Sequence, residues 1–136
     1  MEISAEERAK WPKDVLIALE KPFIDERGVI QNLVEQDMKS AVFISSKKGA
    51  VRANHYHKTD WHYCYMISGA MEYYERPTGD KGAPKLIIAK AGQMLFTPPM
   101  VDHAMKFLED TQWLTLSRNP RNKNDYEADV VRIKLI

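Results

Sequence analysis

The chain has 136 residues, of which 44% are apolar and 29% charged, and a net charge of +1. This is the size and balance of one soluble globular domain with a real core, and the near-neutral charge gives no reason to expect nucleic acid or an anionic membrane as a partner. No apolar run is long enough to span a bilayer, the charged opening "MEISAEERAKWPKD" lacks the apolar segment of a secretory signal, and a single cysteine, Cys64, excludes an intrachain disulfide; a cytoplasmic setting is the expectation.

Residues 1–20 read as an N-terminal extension. It opens with a short charged helix around Ala5 to Lys10, broken by Pro12. Trp11, Val15, Leu16, Ile17 and Leu19 then offer apolar surface to one end of a core or to a partner subunit. Residues 21–136 change in texture and predict a single all-β domain. Short β-favouring runs at 28–34, 41–45, 51–57, 62–68, 70–76, 85–90, 93–97, 103–108, 112–117 and 129–135 are divided by Gly, Pro, Asn and Asp. Ten short strands with few helices predict a sandwich or barrel. Residues 76–85, "RPTGDKGAPK", read as an exposed hairpin loop.

Three of the four histidines fall in "HYHKTDWH", residues 55–62, and the fourth is His103. Residues two apart on a strand share a face. His55 and His57 therefore point one way. His62, Cys64 and Met66 share a face, with Tyr63, Tyr65 and Ile67 on the other. His103, Met105 and Phe107 share a face opposite Lys106, which prefers solvent, so the His103 face is interior. A polar cluster over an apolar floor has the shape of a small-molecule site. Four neutral imidazoles on adjacent strands suit Zn, Fe, Mn, Ni or Cu, and poorly suit Mg or Ca. A lone strand histidine is ordinarily structural; four histidines gathered in two short motifs point to a shared site.

The segment "GAVRANHYHKTDWHYCYMISG", Gly49 to Gly69, resembles the first cupin motif, which runs Gly, five residues, His-x-His, three or four residues, Glu, six residues, Gly. Gly49, His55, His57 and Gly69 match, and His62 stands at the glutamate position. The segment "GQMLFTPPMVDH", Gly92 to His103, resembles the second motif through Gly92, Pro98 and His103, with Met100 in place of a glycine. The resemblance implies a double-stranded β-helix (jelly-roll) cupin barrel with a short N-terminal helical segment. It also implies that His55, His57, His62 and His103 bind one divalent transition metal. The change from glutamate to His62 removes a negative charge and an obvious carboxylate base.

A narrower resemblance links "PFIDERGVIQNL" (22–33) and "VRANHYHK" (51–58) to nucleotide-sugar cupins, the dTDP-4-dehydrorhamnose 3,5-epimerases and dTDP-4-keto-6-deoxyglucose 3,4-ketoisomerases. Ala53 replaces their usual glycine. This resemblance implies an isomerase or epimerase acting on a keto-sugar, with His55 or His57 as the base and Arg52 and Lys58 on the phosphates. Arg27 and Tyr65 are further candidate substrate contacts, and an inward tyrosine among Tyr63, Tyr65, Tyr73 and Tyr74 would steady an oxyanion. The alternatives are a transition-metal-dependent dioxygenase or other metal-assisted enzyme on a small acid, and a binding module without turnover. Small cupins commonly pair through sheet edges, so a homodimer is expected.

Other residues carry blander readings beside the functional ones. Cys64 is a thiol near the metal or a core cysteine. Asp25, Arg27 and Gly28 serve a substrate or form a salt-bridged turn. Trp61 stacks on a ligand ring or packs at an interface. Asp60 and Asp102 lie beside the histidines and are placed to orient their second ring nitrogens, although strand parity turns Asp102 away from His103.

Overall fold

Period-two alternation along short apolar runs builds two five-stranded antiparallel sheets in the computed structural model, which describes residues 2–136. In chain order the elements are α1 (Ala5–Ala9), β1 (Leu16–Ile17), β2 (Phe23–Asp25), β3 (Gly28–Ile30), β4 (Ser40–Ser46), β5 (Val51–His57), β6 (His62–Ser68), β7 (Ala70–Pro77), β8 (Lys85–Lys90), β9 (Met94–Thr97), β10 (Val101–Phe107), β11 (Thr111–Ser117), α2 (Lys123–Asp129) and β12 (Val130–Arg132). One sheet runs β1-β9-β6-β11-β4 and the other β12-β5-β10-β7-β8. Successive strands alternate between the sheets over most of the chain. This is the expected double-stranded β-helix.

The facing sides of the two sheets enclose Cys64, Met66, Met71, Tyr73, Leu95, Met105, Phe107 and Trp113. Each large side chain taken fully from water contributes roughly 1.5–3 kcal/mol. Tyr63, Met94 and Phe96 alternate with these residues and so lie on the outer face of the first sheet. There they pack with Trp61, and Trp11, Ile17, Leu19, Leu33, Val34 and Met38 cover them. The N-terminal segment thus closes a second apolar layer. Its helix is capped by Ser4, which accepts from the Glu7 amide at 3.1 Å. Glu7 in turn accepts from Trp61 Nε1 at 2.5 Å and from Arg118 Nε at 2.6 Å.

Several boundaries differ from expectation. Leu16–Ile17 pairs with β9 and adds an edge strand to the first sheet. Phe23–Asp25 and Gly28–Ile30 form a separate two-stranded hairpin. The run expected at 28–34 ends at Ile30, because Leu33 and Val34 turn onto the outer layer. The run expected at 129–135 is a strand only over Val130–Arg132, and α2 precedes it. Helix α2 is polar and has no apolar period; its one local signal is Asn122, whose side chain accepts from the Asp125 amide at 3.0 Å.

The residues that replace motif glycines keep glycine's backbone. Ala53 has φ 69° and Met100 φ 60°. Asn54, at φ 54°, is the extra residue of a bulge: β10 pairs His103 with His55 and then Ala104 with Ala53. This bulge re-aims His55 and His57 relative to the start of their strand. A left-handed non-glycine residue costs about 1–2 kcal/mol, and glycine's extra unfolded entropy returns roughly half of that. Met100 is exposed and loses little packing on truncation. Met100→Gly should therefore stabilise the protein by about 0.5–1 kcal/mol. Urea unfolding reads this as a higher midpoint at unchanged slope; a lower midpoint would refute it. At Gly69 the reverse holds, since an added Cβ would meet the Asp110 carbonyl oxygen at 2.6 Å.

Candidate functional site

Strand parity delivers His62 from β6 and His103 from β10 to the barrel interior, and the bulged end of β5 delivers His55 and His57 beside them. The ring centroids of His55 and His57, and of His55 and His103, are 4.7 Å apart. Those of His62 and His103 are 5.3 Å apart, and those of His57 and His62 5.8 Å. The four imidazoles therefore form one cluster. His57, His62 and His103 are buried, and His55 is half-buried. The cluster lines a cavity of about 350 Å³ whose wall also carries Arg52, Asp60, Trp113, Thr115, Ser117, Arg121, Tyr126 and Arg132.

Burial first, and then the neighbouring His103 and His57, hold His55 down to about 2. Arg132 and Arg121 push it the same way. Burial and the other three histidines lower His62 well below the ordinary range. Burial also takes His103 down to about 4, against the opposing hydrogen bond to Val101. These three imidazoles are neutral at physiological pH, with free ring lone pairs.

One ring, His103, has its tautomer set from behind, and a second, His57, faces a carboxylate. His103 Nδ1 lies 3.0 Å from the Val101 carbonyl oxygen, which can only accept, so the His103 proton is on Nδ1 and Nε2 carries the lone pair. His57 Nδ1 has no well-formed hydrogen bond, and its nearest acceptor is Asp129 Oδ2 at 3.4 Å. Asp129 also accepts from the Thr59 amide at 2.8 Å, the Thr59 hydroxyl at 2.6 Å and the Asp60 amide at 3.0 Å. Burial alone would raise this carboxyl. The neighbouring His57 ring first, and then the Thr59 and Asp60 donors, outweigh burial and hold it well below the usual carboxylate range. A ring fixed from behind, as His103 is, is the usual form of a histidine metal ligand. One ligand atom each from His55, His57 and His103 lie within 4.8 Å of one another, and so do those of His57, Asp60 and His62. The donor set fits a divalent transition metal.

The structure separates the expected substrate contacts. Arg52 lines the cavity, anchored by Ser46 Oγ at 2.7 Å and the Ser45 carbonyl at 3.0 Å. Lys58 does not; it is exposed, with Nζ 3.4 Å from the Ala128 carbonyl. Arg27 sits on the β2–β3 hairpin and grips Asp25 at 2.6 Å, which is the turn reading of that motif. Tyr65 is turned away, because alternation puts it with Tyr63 on the outer layer. Asp102 faces away as parity predicts, accepting from Thr78 and Arg76. Trp61 is a core residue, and Cys64 is buried with its thiol pushed up by burial. Tyr73 is the inward tyrosine, but its hydroxyl is bonded to Thr97 at 2.6 Å below the cluster.

Sequence reasoning missed Asp129, Arg121, Tyr126 and Arg132. All four come from the segment that closes the barrel mouth. Strand β12 pairs Arg132 with His55 and Val130 with His57, which sets Asp129 behind His57. The Tyr126 ring centroid is 5.7 Å from that of His57, and the Arg121 guanidinium stacks on Tyr126 at 4.0 Å. Among the described residues Asp60 is the only acidic one on the cavity wall, against three arginines.

No family model matches the chain, and no curated protein does. Solved structures do. The QdtA 3,4-ketoisomerase from Thermoanaerobacterium thermosaccharolyticum, a double mutant in complex with TDP, is 23% identical. The match covers 90% of this chain and 89% of that one, with a TM-score of 0.71. A 3,4-ketoisomerase from Helicobacter canadensis is 21% identical over 84% of this chain and 86% of that one, with a TM-score of 0.70. The dTDP-4-dehydrorhamnose 3,5-epimerase from Sulfolobus tokodaii is 19% identical over 78% and 70%, with a TM-score of 0.64. The chain shares the cupin fold of these enzymes. Among the described residues no helix is long and apolar enough to cross a membrane.

Proposed function

We propose that this protein is an isomerase or epimerase of a keto-sugar carried on a nucleotide, and that a histidine moves the proton. The reading rests on one observation: a neutral, half-buried His55 opens onto a cavity walled by Arg52, Arg121 and Arg132. Arginines recognise phosphate oxygens through paired, charge-assisted hydrogen bonds. Structural neighbours with TDP or TDP-4-keto-6-deoxyglucose bound support the same class of ligand.

His55 is the least buried imidazole of the cluster, so it is the one a substrate reaches. In the free protein it is held neutral, the form that accepts a proton. A diphosphate settling among the arginines offsets the part of the depression that Arg132 and Arg121 cause, and so raises the basicity of His55. The imidazole then takes the proton next to the sugar carbonyl, giving an enediolate, and returns a proton to carbon on the other side of the shift or on the other face. The cavity arginines stabilise the negative charge that develops on oxygen.

The cavity also holds two groups of donors that suit a divalent transition metal, His55 with His57 and His103, and His57 with Asp60 and His62, with Asp129 and the Val101 carbonyl behind His57 and His103. When bound, such a metal supplies Lewis-acid polarisation of a carbonyl oxygen. The test of the reading is turnover of TDP-4-keto-6-deoxyglucose, followed by NMR. Appearance of the 3-keto isomer or an epimer supports it; unchanged substrate in the presence of stoichiometric protein contradicts it.

The active form is a homodimer in this proposal. The β2–β3 hairpin joins neither sheet and exposes Phe23, Ile24, Val29 and Ile30, each more than half accessible. Such an unpaired apolar ribbon gains by covering itself on a second copy. Light scattering should give twice the 15.7 kDa chain mass. Ile24→Lys combined with Ile30→Lys should give the monomer with a near-unchanged fold. A wild-type monomer at micromolar concentration would refute the dimer.

A further inference from the structure

The glutamate of the first cupin motif is replaced by His62, but the chain carries another carboxylate two residues earlier. Asp60 lies in the connection between β5 and β6 and is 7% exposed. That connection is held from two sides. The Asp129 carboxylate accepts from the Thr59 and Asp60 amides, and the Asn119 amide donates to Asp60 Oδ1 at 2.9 Å. The other oxygen of Asp60 has no such bond among the described residues, and the side chain lines the histidine cavity. One ligand atom each of His57, Asp60 and His62, all three buried, lie within 4.8 Å of one another.

We propose that Asp60 restores the lost carboxylate, so that His57, Asp60 and His62 hold the divalent metal and His55 stays free to move the proton. The competing triad of His55, His57 and His103 offers imidazole nitrogens only and no carboxylate. A dication entering a cavity walled by Arg52, Arg121 and Arg132 is repelled, and among the described residues Asp60 is the one acidic residue on that wall to offset this. Two imidazoles and a carboxylate are an established ligand set for first-row divalent metals, and they leave positions open for water or substrate. The assignment also separates two tasks that would otherwise compete for the same rings. It rests on the keto-sugar reading only for the role of His55.

The experiment is titration of untagged, metal-free protein with Co²⁺, read by visible absorption and calorimetry. Asp60→Asn should weaken Co²⁺ binding by at least ~100-fold, the upper range for disturbing even an outer partner of a ligand. His55→Asn should leave the affinity within a few-fold. Copper EPR of the wild type gives a readout that does not depend on the variant folding, with two strongly coupled imidazole nitrogens expected. Full affinity in a folded Asp60→Asn, loss in His55→Asn, or three or more coupled nitrogens would overturn the assignment. Wild-type protein that binds neither Co²⁺ nor Zn²⁺ overturns it too, and keto-sugar turnover is then judged by its own assay. Stoichiometric binding with the expected variant pattern but no turnover keeps the metal assignment and removes the isomerase reading.

Discussion

Replacing His55 by asparagine should lower kcat for keto-sugar isomerisation by about 10²–10⁴-fold, the range a positioned general base contributes. Asparagine keeps the size of the side chain and its hydrogen-bonding ability but cannot carry the proton at neutral pH. His55 is half-buried and makes no side-chain hydrogen bond among the described residues, so its loss should not unfold the barrel. Arg52, Arg121 and Arg132 remain in place to meet the phosphates, so KM should change only a few-fold. A fall in kcat with an unchanged KM is thus the signature of a base lost from an intact binding site. A folded His55→Asn protein with near-wild-type kcat would show that another group moves the proton.

Acid should destabilise this protein steeply. His55, His62 and His103 are all held below the ordinary histidine value of about 6.5, chiefly by burial. The sign follows from proton uptake. Below pH 6.5 the unfolded chain gains a proton at each of these rings, while the folded chain does not until far lower pH. Their contribution is complete above pH 6.5 and is lost as the pH falls toward the folded values, near 4 for His103 and near 2 for His55. Each proton is worth about 1.4 kcal/mol per pH unit. Between pH 7.5 and 5 these rings lose roughly 3–6 kcal/mol, after allowance for solvent reaching His55, and Asp60, whose carboxyl burial raises to about 6, returns about 1 kcal/mol of it. That is a large share of the total stability of a domain this size. Urea midpoints measured across this range should fall monotonically, and His103→Gln should flatten the slope. A flat profile between pH 7.5 and 5 would contradict the burial of neutral rings. Asp129 acts in the same direction at lower pH: its carboxyl is held below the usual range, so its contribution is lost only on strong acidification.

The barrel and its histidine floor were legible because strands impose a period of two. That period alone puts His62, Cys64 and Met66 on the inner face of β6, and His103, Met105 and Phe107 on the inner face of β10. It also turns Tyr65 outward, which removes it from the site. The motif positions of Ala53 and Met100 mark left-handed backbone even though neither residue is glycine. What was not legible depends on long-range register. Asp129 and Arg132 reach the histidines only because β12 lies against β5, more than seventy positions away along the chain. Helix α2, which carries Tyr126, is short and polar, so no apolar stripe announces it. The orientation of Asp60 is set by a connection held by Asp129 and Asn119, where strand parity does not apply.

In the proposed reaction a histidine of this cavity exchanges a proton on carbon next to a sugar carbonyl. This exchange is tested most directly by incubating TDP-4-keto-6-deoxyglucose with the protein in D₂O and reading the sugar carbons by NMR, which registers proton transfer whatever the final product. Deuterium should enter at the carbon beside the carbonyl with wild-type protein and be at least about 100-fold slower with His55→Asn. No enrichment above the protein-free rate, with folded wild-type protein at stoichiometric concentration, would contradict the account.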